Sequence, residues 1–536
     1  MKSTFFPFAL TVLLVLPSFA QDNPASTAIQ KSLQTSPAAH VGSSPFNPPT
    51  ATDTNFVVDT GQSGLDTGCT YRSGGPLRFT IAVDRVVGDV NADGTLVSPQ
   101  TLIANGVVSQ FATLRMPAFD VDFDAVLTPP GQPERDRVLL NGTDLGPQGT
   151  VAFLTGSNNI WKLNEFQIPI EKIRFGGRNP GSSPTPGQNQ IEIQIDTANA
   201  AIGRENWCTA IDWSQLSFGA LAPVVMIHGN NSSGAFWAGT IAPGTTLPAP
   251  FIQPFQQQKI PFDNSITMAT ASIVNHSALL ATLIPGIASE FGAKHVHLVA
   301  HSKGGLDSRD FLARTIPANF GVLSLTTLST PHHGSVGPDY QIDSVNANSL
   351  YSDDTTRTKL GQQTPPDAGT FNLRVSFVAG FNAANLPLLP KQFTVDGETS
   401  PVVYMSISAD ANLDNSSDSG GPTIFFNETT GIPGQGSFMP DRTWATVLEQ
   451  VYRLIGNVAS TSLVSVPILG GLSTTLAVRE TPTATFQLND FAVTVTSARM
   501  TGFRELASVK NNHATVANPT NAQTVINAIR AVQPVR

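Results

Sequence analysis

The stretch that decides the fold is His295-Val296-His297-Leu298-Val299-Ala300-His301-Ser302-Lys303-Gly304-Gly305-Leu306-Asp307. Its first half reads as a short buried strand, and its second half opens a helix near Gly304 that runs through Arg314. Ser302 sits on the tight corner between them. Such a corner holds the serine in a strained backbone conformation and brings strand and helix close together, so small residues are needed two positions to either side. Ala300 and Gly304 meet that need. The corner lifts the hydroxyl of Ser302 off the sheet and leaves the amide of Lys303 at a helix N-terminus, where backbone donors face negative charge.

Upstream, Val224–Ile227 is a continuous apolar run, the pattern of a parallel strand covered on both faces. Residues 277–291 have helical spacing, and residues 322–328 and 402–407 read as further strands. Residues 491–495 are another strand candidate. Helices are expected over 444–458 and from Ala522 to Val532. Alternating strands and helices predict an α/β core with a doubly wound, mostly parallel sheet over 218–536. Residues 336–395 are polar, rich in Pro and Gly and poorly periodic. They read as a cap or lid, with an apolar patch at Leu386-Pro387-Leu388-Leu389-Pro390.

The chain before this core has another character. Leu77–Val83, residues 119–123 and residues 190–195 alternate apolar with polar side chains, and Asn141-Gly142, Gly146-Pro147 and the glycines between 176 and 187 supply turns. This spacing predicts an all-β, sandwich-like domain over 66–217. Residues 21–65, rich in Pro, Ser, Thr and Asn, read as a disordered linker. Residues 1–20 read as a signal peptide: Lys2 gives the positive end, Phe5 to Leu16 the apolar core, and Ser18-Phe19-Ala20 the cleavage site. A secreted or periplasmic protein is expected, with no transmembrane segment after cleavage. Residues 459–478 lack charge, but their Ser and Thr content, Pro467 and Gly470-Gly471 predict a hairpin or surface insertion.

At 536 residues, with 40% hydrophobic and 13% charged, the chain can bury substantial cores in two domains. A formal charge of −9 argues against a nucleic-acid partner, because no basic stripe offsets phosphate repulsion. The two cysteines, Cys69 and Cys208, read as a disulfide in an exported chain. It would close a loop of roughly 140 residues and contribute about 5 kcal/mol at most in the chain-entropy model.

A serine hydroxyl becomes nucleophilic at neutral pH only with a base to accept its proton and an acid to orient that base. Downstream of Ser302 the histidines are His332, His333 and His513. His513 lies in a polar loop before the last helix, where a sheet-end loop would deliver a base. His332 and His333 suit lining or supporting roles at a pocket mouth. For the acid, Asp490 lies 23 residues before His513, while Asp410 is the alternative because it ends the strand at 402–407. A second oxyanion donor beside Lys303 would be the amide of Asn230 in His228-Gly229-Asn230-Asn231, with His228 bracing that loop. Asp89, Asn91 and Asp93, with Gly94, match the first positions of a calcium loop; position twelve is Gln100 rather than Glu, and an Asp- and Asn-rich β-turn explains the stretch equally well. A structural calcium is therefore one reading of this loop. No other cofactor is required.

His228-Gly229, Ala300-His301-Ser302-Lys303-Gly304-Gly305, Thr330-Pro331-His332-His333-Gly334-Ser335, Asn489-Asp490 and Asn512-His513 together resemble secreted bacterial lipases and esterases of the α/β-hydrolase superfamily. The resemblance covers roughly residues 220–536, in the chain order serine, acid, histidine. It implies acyl transfer to Ser302 followed by hydrolysis of a carboxylic ester, in the manner of a triacylglycerol lipase, with lipid or polyester as substrate and contact with a lipid interface at the lid. Phe491 stands where such proteins commonly have glycine after the acid, and residues 459–488 have no counterpart in the resemblance. Two other readings stay open: a polyester depolymerase or other acyl hydrolase on the same scaffold, and a catalytically silent protein that binds a polymer.

Overall fold

Two antiparallel sheets and one parallel sheet make up most of the computed structural model, which describes residues 44–60, 69–123, 133–146, 149–199, 208–242, 245–246, 249–335, 338, 367–410, 458–467, 474–482, 489–490 and 492–535. The expected leader at 1–20, most of the 336–366 part of the lid, and residues 444–457 of the expected helix lie outside the described residues.

In the first antiparallel sheet, Asn55–Asp59, Trp213–Ala220, Val108–Phe119, Cys208–Ile211 and Thr70–Tyr71 are adjacent in that order, and Trp161–Pro169 also pairs with Val108–Phe119. The second runs Leu77–Val83, Gly187–Gln194, Arg137–Leu140 and Thr143–Asp144. Alternate side chains from the two sheets, among them Leu77, Ile81, Val138 and Ile191 from one and Leu114, Met116, Ile168 and Leu216 from the other, meet in one core.

The linker reading fails at its C-terminal end. Asn55–Asp59 is an integral strand paired along its length with Trp213–Ala220, and Phe56 is buried against Phe218. The short run Phe56-Val57-Val58 was submerged in a Pro- and Thr-rich composition. The two-sheet unit therefore spans 55–220 rather than 66–217. Cys69 and Cys208 are joined in a disulfide, 139 positions apart in sequence. It ties the residue just before Thr70–Tyr71 to the start of Cys208–Ile211, the strand that pairs with it.

The parallel sheet is built from β1 (Val224–Ile227), β2 (Phe262–Asp263), β3 (His295–His301), β4 (Gly321–Leu328), β5 (Val403–Ala409) and β6 (Arg504–Val509). Their spatial order is β2-β1-β3-β4-β5-β6, with every pairing parallel. Helix α1 (Ile273–Glu290) packs Leu280, Ile284 and Ile287 on the face carrying Val225, Ile227, Leu298 and Ala300. Ser272 caps α1 by accepting from the amide of Asn275 at 3.2 Å. The opposite face, with Val224, Met226 and Val299, is covered by Val525, Ile526 and Ile529 of the final helix Pro519–Val532. Helices on both faces explain why β1 and β4 are buried along their whole length and β3 from Val296 onward.

The strand candidate at 491–495 is not a strand. Its described residues form a turn closed by an Asn489–Thr494 bridge, and a short helix, Val495–Ala498, follows. The sixth strand is β6, whose half-exposed edge position hides it from an apolar-run search. Residues 458–467 and 474–482 pair as an antiparallel hairpin, as the turn residues of 459–478 predict. Within the lid region, Ala368–Phe371 and α2 (Val375–Asn385) are helical where no periodicity was read. Among the described residues no helix is long and apolar enough to cross a membrane.

The antiparallel unit is bound tightly to the parallel sheet. Buried Arg85 donates to the carbonyl of Leu221 at 2.8 Å, Arg178 pairs with both Asp263 and Glu290, and the amide of Val86 donates to the carbonyl of Phe291 at 3.0 Å. The Asp89–Asp93 stretch folds as a turn: Asp93 accepts from the amide and hydroxyl of Thr95, and Asp89 faces Lys259 at 3.5 Å. These protein hydrogen bonds account for the turn.

Inside the antiparallel unit, Glu134 and Asp136 are fully buried neighbours. Glu134 accepts from the amide of Asp122 at 2.9 Å, and Thr209 donates its hydroxyl to Asp136. Burial, with the Asp136 charge beside it, pushes the Glu134 carboxyl up from 4.5 to about 10. A carboxyl raised on folding gives stability that is complete below its unfolded pKa and is lost as pH rises through the folded value. Glu134→Gln keeps an oxygen acceptor without the proton. Its thermal midpoint is expected to exceed that of the wild type at pH 8, with the difference disappearing near pH 4.5.

Candidate active site

β3 ends at His301, and Ser302 follows with φ 54° and ψ −131°. This left-handed conformation is costly for a non-glycine residue and persists only where its surroundings hold it. Its amide donates to the carbonyl of Leu328 on β4 at 2.9 Å, so the neighbouring strand helps fix the corner. A Cβ at position 304 would lie 2.4 Å from the carbonyl oxygen of His228, and one at 229 would lie 2.8 Å from the Cβ of Ser302. Glycine at both positions is therefore a packing requirement. Ala300 is accommodated, buried on the α1 face.

His513 lies in the loop between β6 and the last helix. Its Nε2 is 2.9 Å from the Ser302 hydroxyl, and its Nδ1 is 2.9 Å from Oδ2 of Asp490. Asp490 is fully buried, and its other oxygen accepts from the amides of Ala492 at 2.9 Å and Val493 at 2.7 Å. The amide of His513 donates to the carbonyl of Asp490 at 2.9 Å, so backbone and side chain together set the ring. With Nδ1–H given to the carboxylate, Nε2 is left as an acceptor toward the serine. Asp410 is elsewhere: it ends β5, its amide donates to the carbonyl of Val509, and Lys510 lies 3.7 Å from its carboxylate.

The loop after β1 brings Gly229 against Ser302, with Asn230 next. His228 accepts the amide of Met268 on Nε2 at 3.0 Å and turns Nδ1 to the carbonyl of Gly229 at 2.7 Å, which braces this loop. Burial holds its pKa below the usual value. The Asn230 amide group donates to the Thr370 hydroxyl at 3.3 Å, and Asp367 accepts from the amide and hydroxyl of Thr370. The start of the described cap segment is thereby docked beside Asn230.

Sequence reasoning missed three supporting groups. His301 is buried under the His513 loop and donates from Nε2 to the carbonyl of His513 at 2.6 Å, with Phe236 stacked on its ring at 4.4 Å. Burial holds its pKa well below 6.5, keeping the ring neutral. The Lys303 ammonium is fully buried between Asp307 at 2.6 Å and Nδ1 of His276 at 3.0 Å. Its spacing of four from Asp307 was readable on the helix, but the arrival of His276 from α1 was not. Thirdly, buried Arg309 binds His332 at 3.2 Å and Asn382 of α2 at 2.8 Å. His332 is therefore packed inside, against Thr327 at 3.0 Å, and does not line a pocket mouth.

The fold and site define a doubly wound parallel sheet with a hydrogen-bonded serine, histidine and aspartate at the carboxyl ends of its strands. No protein-family model matches the chain. Among curated proteins, triacylglycerol lipase 2 of Saccharomyces cerevisiae is 50% identical over 48 residues, covering 9% of this chain. The match spans 15% of that yeast protein's length. Similar solved structures include the mature lipase BlEst2 of Bacillus licheniformis, 18% identical with a TM-score of 0.34, over 58% of this chain and 91% of that one. Lipase 1 from Pelosinus fermentans is 13% identical with a TM-score of 0.32, covering 59% and 100%. EstA from Clostridium botulinum is 12% identical with a TM-score of 0.29, covering 59% and 88%.

The buried Lys303–Asp307 pair predicts a stability effect. Asp307→Ala leaves an ammonium without its counter-charge and is expected to cost about 3–5 kcal/mol. The urea midpoint should fall accordingly, with the loss shrinking at alkaline pH, where Lys303 can release its proton.

Proposed function

We propose that this chain is a serine ester hydrolase of the α/β-hydrolase type, acting through an acyl-enzyme on Ser302. The observation that carries the reading is the unbroken pair of 2.9 Å contacts from Ser302 through His513 to Asp490. His513 takes the hydroxyl proton as Oγ bonds to the acyl carbon. The resulting oxyanion is met by the amides of Lys303 and Asn230. Imidazolium then returns the proton to the departing alcohol as the carbon–oxygen bond breaks, leaving the acyl group on Ser302. Water, deprotonated by His513, attacks the acyl carbon; the imidazolium then returns the proton to Oγ of Ser302 as the acyl–oxygen bond breaks and the acid leaves. Asp490 stays ionised and holds the ring. His301 positions the base by gripping its carbonyl.

The 48-residue likeness to a yeast triacylglycerol lipase supports an ester as the substrate. We infer a secreted or periplasmic location from the apolar N-terminal run and from the Cys69–Cys208 disulfide. Residues 336–395 are the segment we assign as the cap.

The test is a fluorophosphonate probe together with a chain-length series of p-nitrophenyl esters, triglyceride emulsion and polyester film. Stoichiometric labelling and turnover are expected, both lost in Ser302→Ala. Asp490→Asn should lower kcat by about 10⁴-fold through the wrong histidine tautomer, while Asp410→Asn leaves it unchanged. His301→Ala should lower kcat at unchanged KM. An unlabelled wild-type Ser302, or loss of turnover in Asp410→Asn with Asp490→Asn active, would overturn the reading.

A further inference from the structure

The outward face of the first antiparallel sheet carries a polar cleft that the ester chemistry does not use. Its geometry follows from strand register. Asn55 pairs with Ser217, Ser217 with Thr113, and Thr113 with Gln167, so four adjacent strands present one row of uncharged hydrogen-bonding side chains. At ~4.8 Å per strand the row is roughly 14 Å across. The alternate residues Phe56, Leu114, Leu216 and Ile168 point the other way, into the core.

This row lies in a cleft of about 580 Å³, whose far wall is Glu398 from the hairpin Gln392–Val395 and Glu398–Pro401. Among the described residues Glu398 is the only titratable side chain lining it. Phe111, 38% exposed, sets a flat apolar ring beside the amides. At the floor Gln215 is only 7% exposed; it donates to Asn55 at 2.6 Å, while its carbonyl oxygen has no protein partner among the described residues. In the next row Arg115 and Glu165 lie 3.4 Å apart and offset each other's charge.

We propose that this cleft binds a neutral polysaccharide. Hydroxyls on a sugar both donate and accept, matching amide and hydroxyl side chains that do the same. The C–H face of a sugar ring fits an exposed aromatic ring. An acyl chain would leave these polar groups desolvated without partners, and an anionic polymer would meet Glu398 with no lysine or arginine among the described lining residues. Binding here would hold the hydrolytic domain at a polymer surface and raise its effective concentration for esters carried there.

Affinity electrophoresis of full-length Ser302→Ala in gels containing galactomannan, xylan, β-1,3-glucan or starch, with pull-down on cellulose and chitin, tests this. At least one polysaccharide is expected to bind, with affinity falling about tenfold or more in Phe111→Ala and in Gln167→Ala. The same two substitutions in the wild-type background should leave p-nitrophenyl ester hydrolysis unchanged, which also reports correct folding. Three outcomes overturn the proposal: no binding to any polysaccharide, binding unaffected by both variants, or binding only to polyester film or lipid vesicles. None of them bears on the ester hydrolase reading, which rests on Ser302.

Discussion

Everything at the candidate site depends on one backbone corner. Ser302 occupies a conformation that an L-residue avoids, and the fold maintains it from three directions. The adjacent strand takes its amide, Gly229 presses against its side chain, and Gly304 lets the helix pass beside the carbonyl of His228. Below the corner, Lys303, Asp307 and His276 form a closed, buried polar cluster. Their desolvation is tolerable only because each has a partner. The hydroxyl is thus delivered to a fixed point at the end of the central strands, where loops from β1 and β6 converge.

His513 is held as firmly as Ser302. His513 belongs to a surface loop, yet its ring is tied to Asp490, its amide to the carbonyl of Asp490, and its carbonyl to His301. The last of these bonds comes from the residue immediately before Ser302. One strand end therefore sets the positions of both Ser302 and His513, which limits the motion that would separate them.

Much of this was legible in the sequence because the signals were local. A strand, a serine between small residues and a helix read directly, and so did the apolar run of β1 and the strand at β4, both buried throughout. The pairing of Asp490 rather than Asp410 with His513 was harder to read. Asp410 sits at the end of a good strand, whereas Asp490 sits in a tight turn whose apolar neighbours mimic a strand. Edge strands escaped for a different reason. Arg504–Val509 and Asn55–Asp59 each pack on limited surface and lack a continuous apolar run. The His301 tether and the Lys303 cluster depend on groups 27 to 212 residues apart in sequence, and no local pattern encodes them.

The central claim is that Ser302 is acylated when His513 can take its proton. Acid quench of the enzyme mixed with a p-nitrophenyl ester, followed by peptide mass mapping, measures this directly. A mass increment of one acyl group is predicted on the peptide containing Ser302, appearing in the wild type and absent in His513→Ala. An acyl group found on another residue, or turnover proceeding with Ser302 unmodified at every quench time and no initial burst, would contradict it.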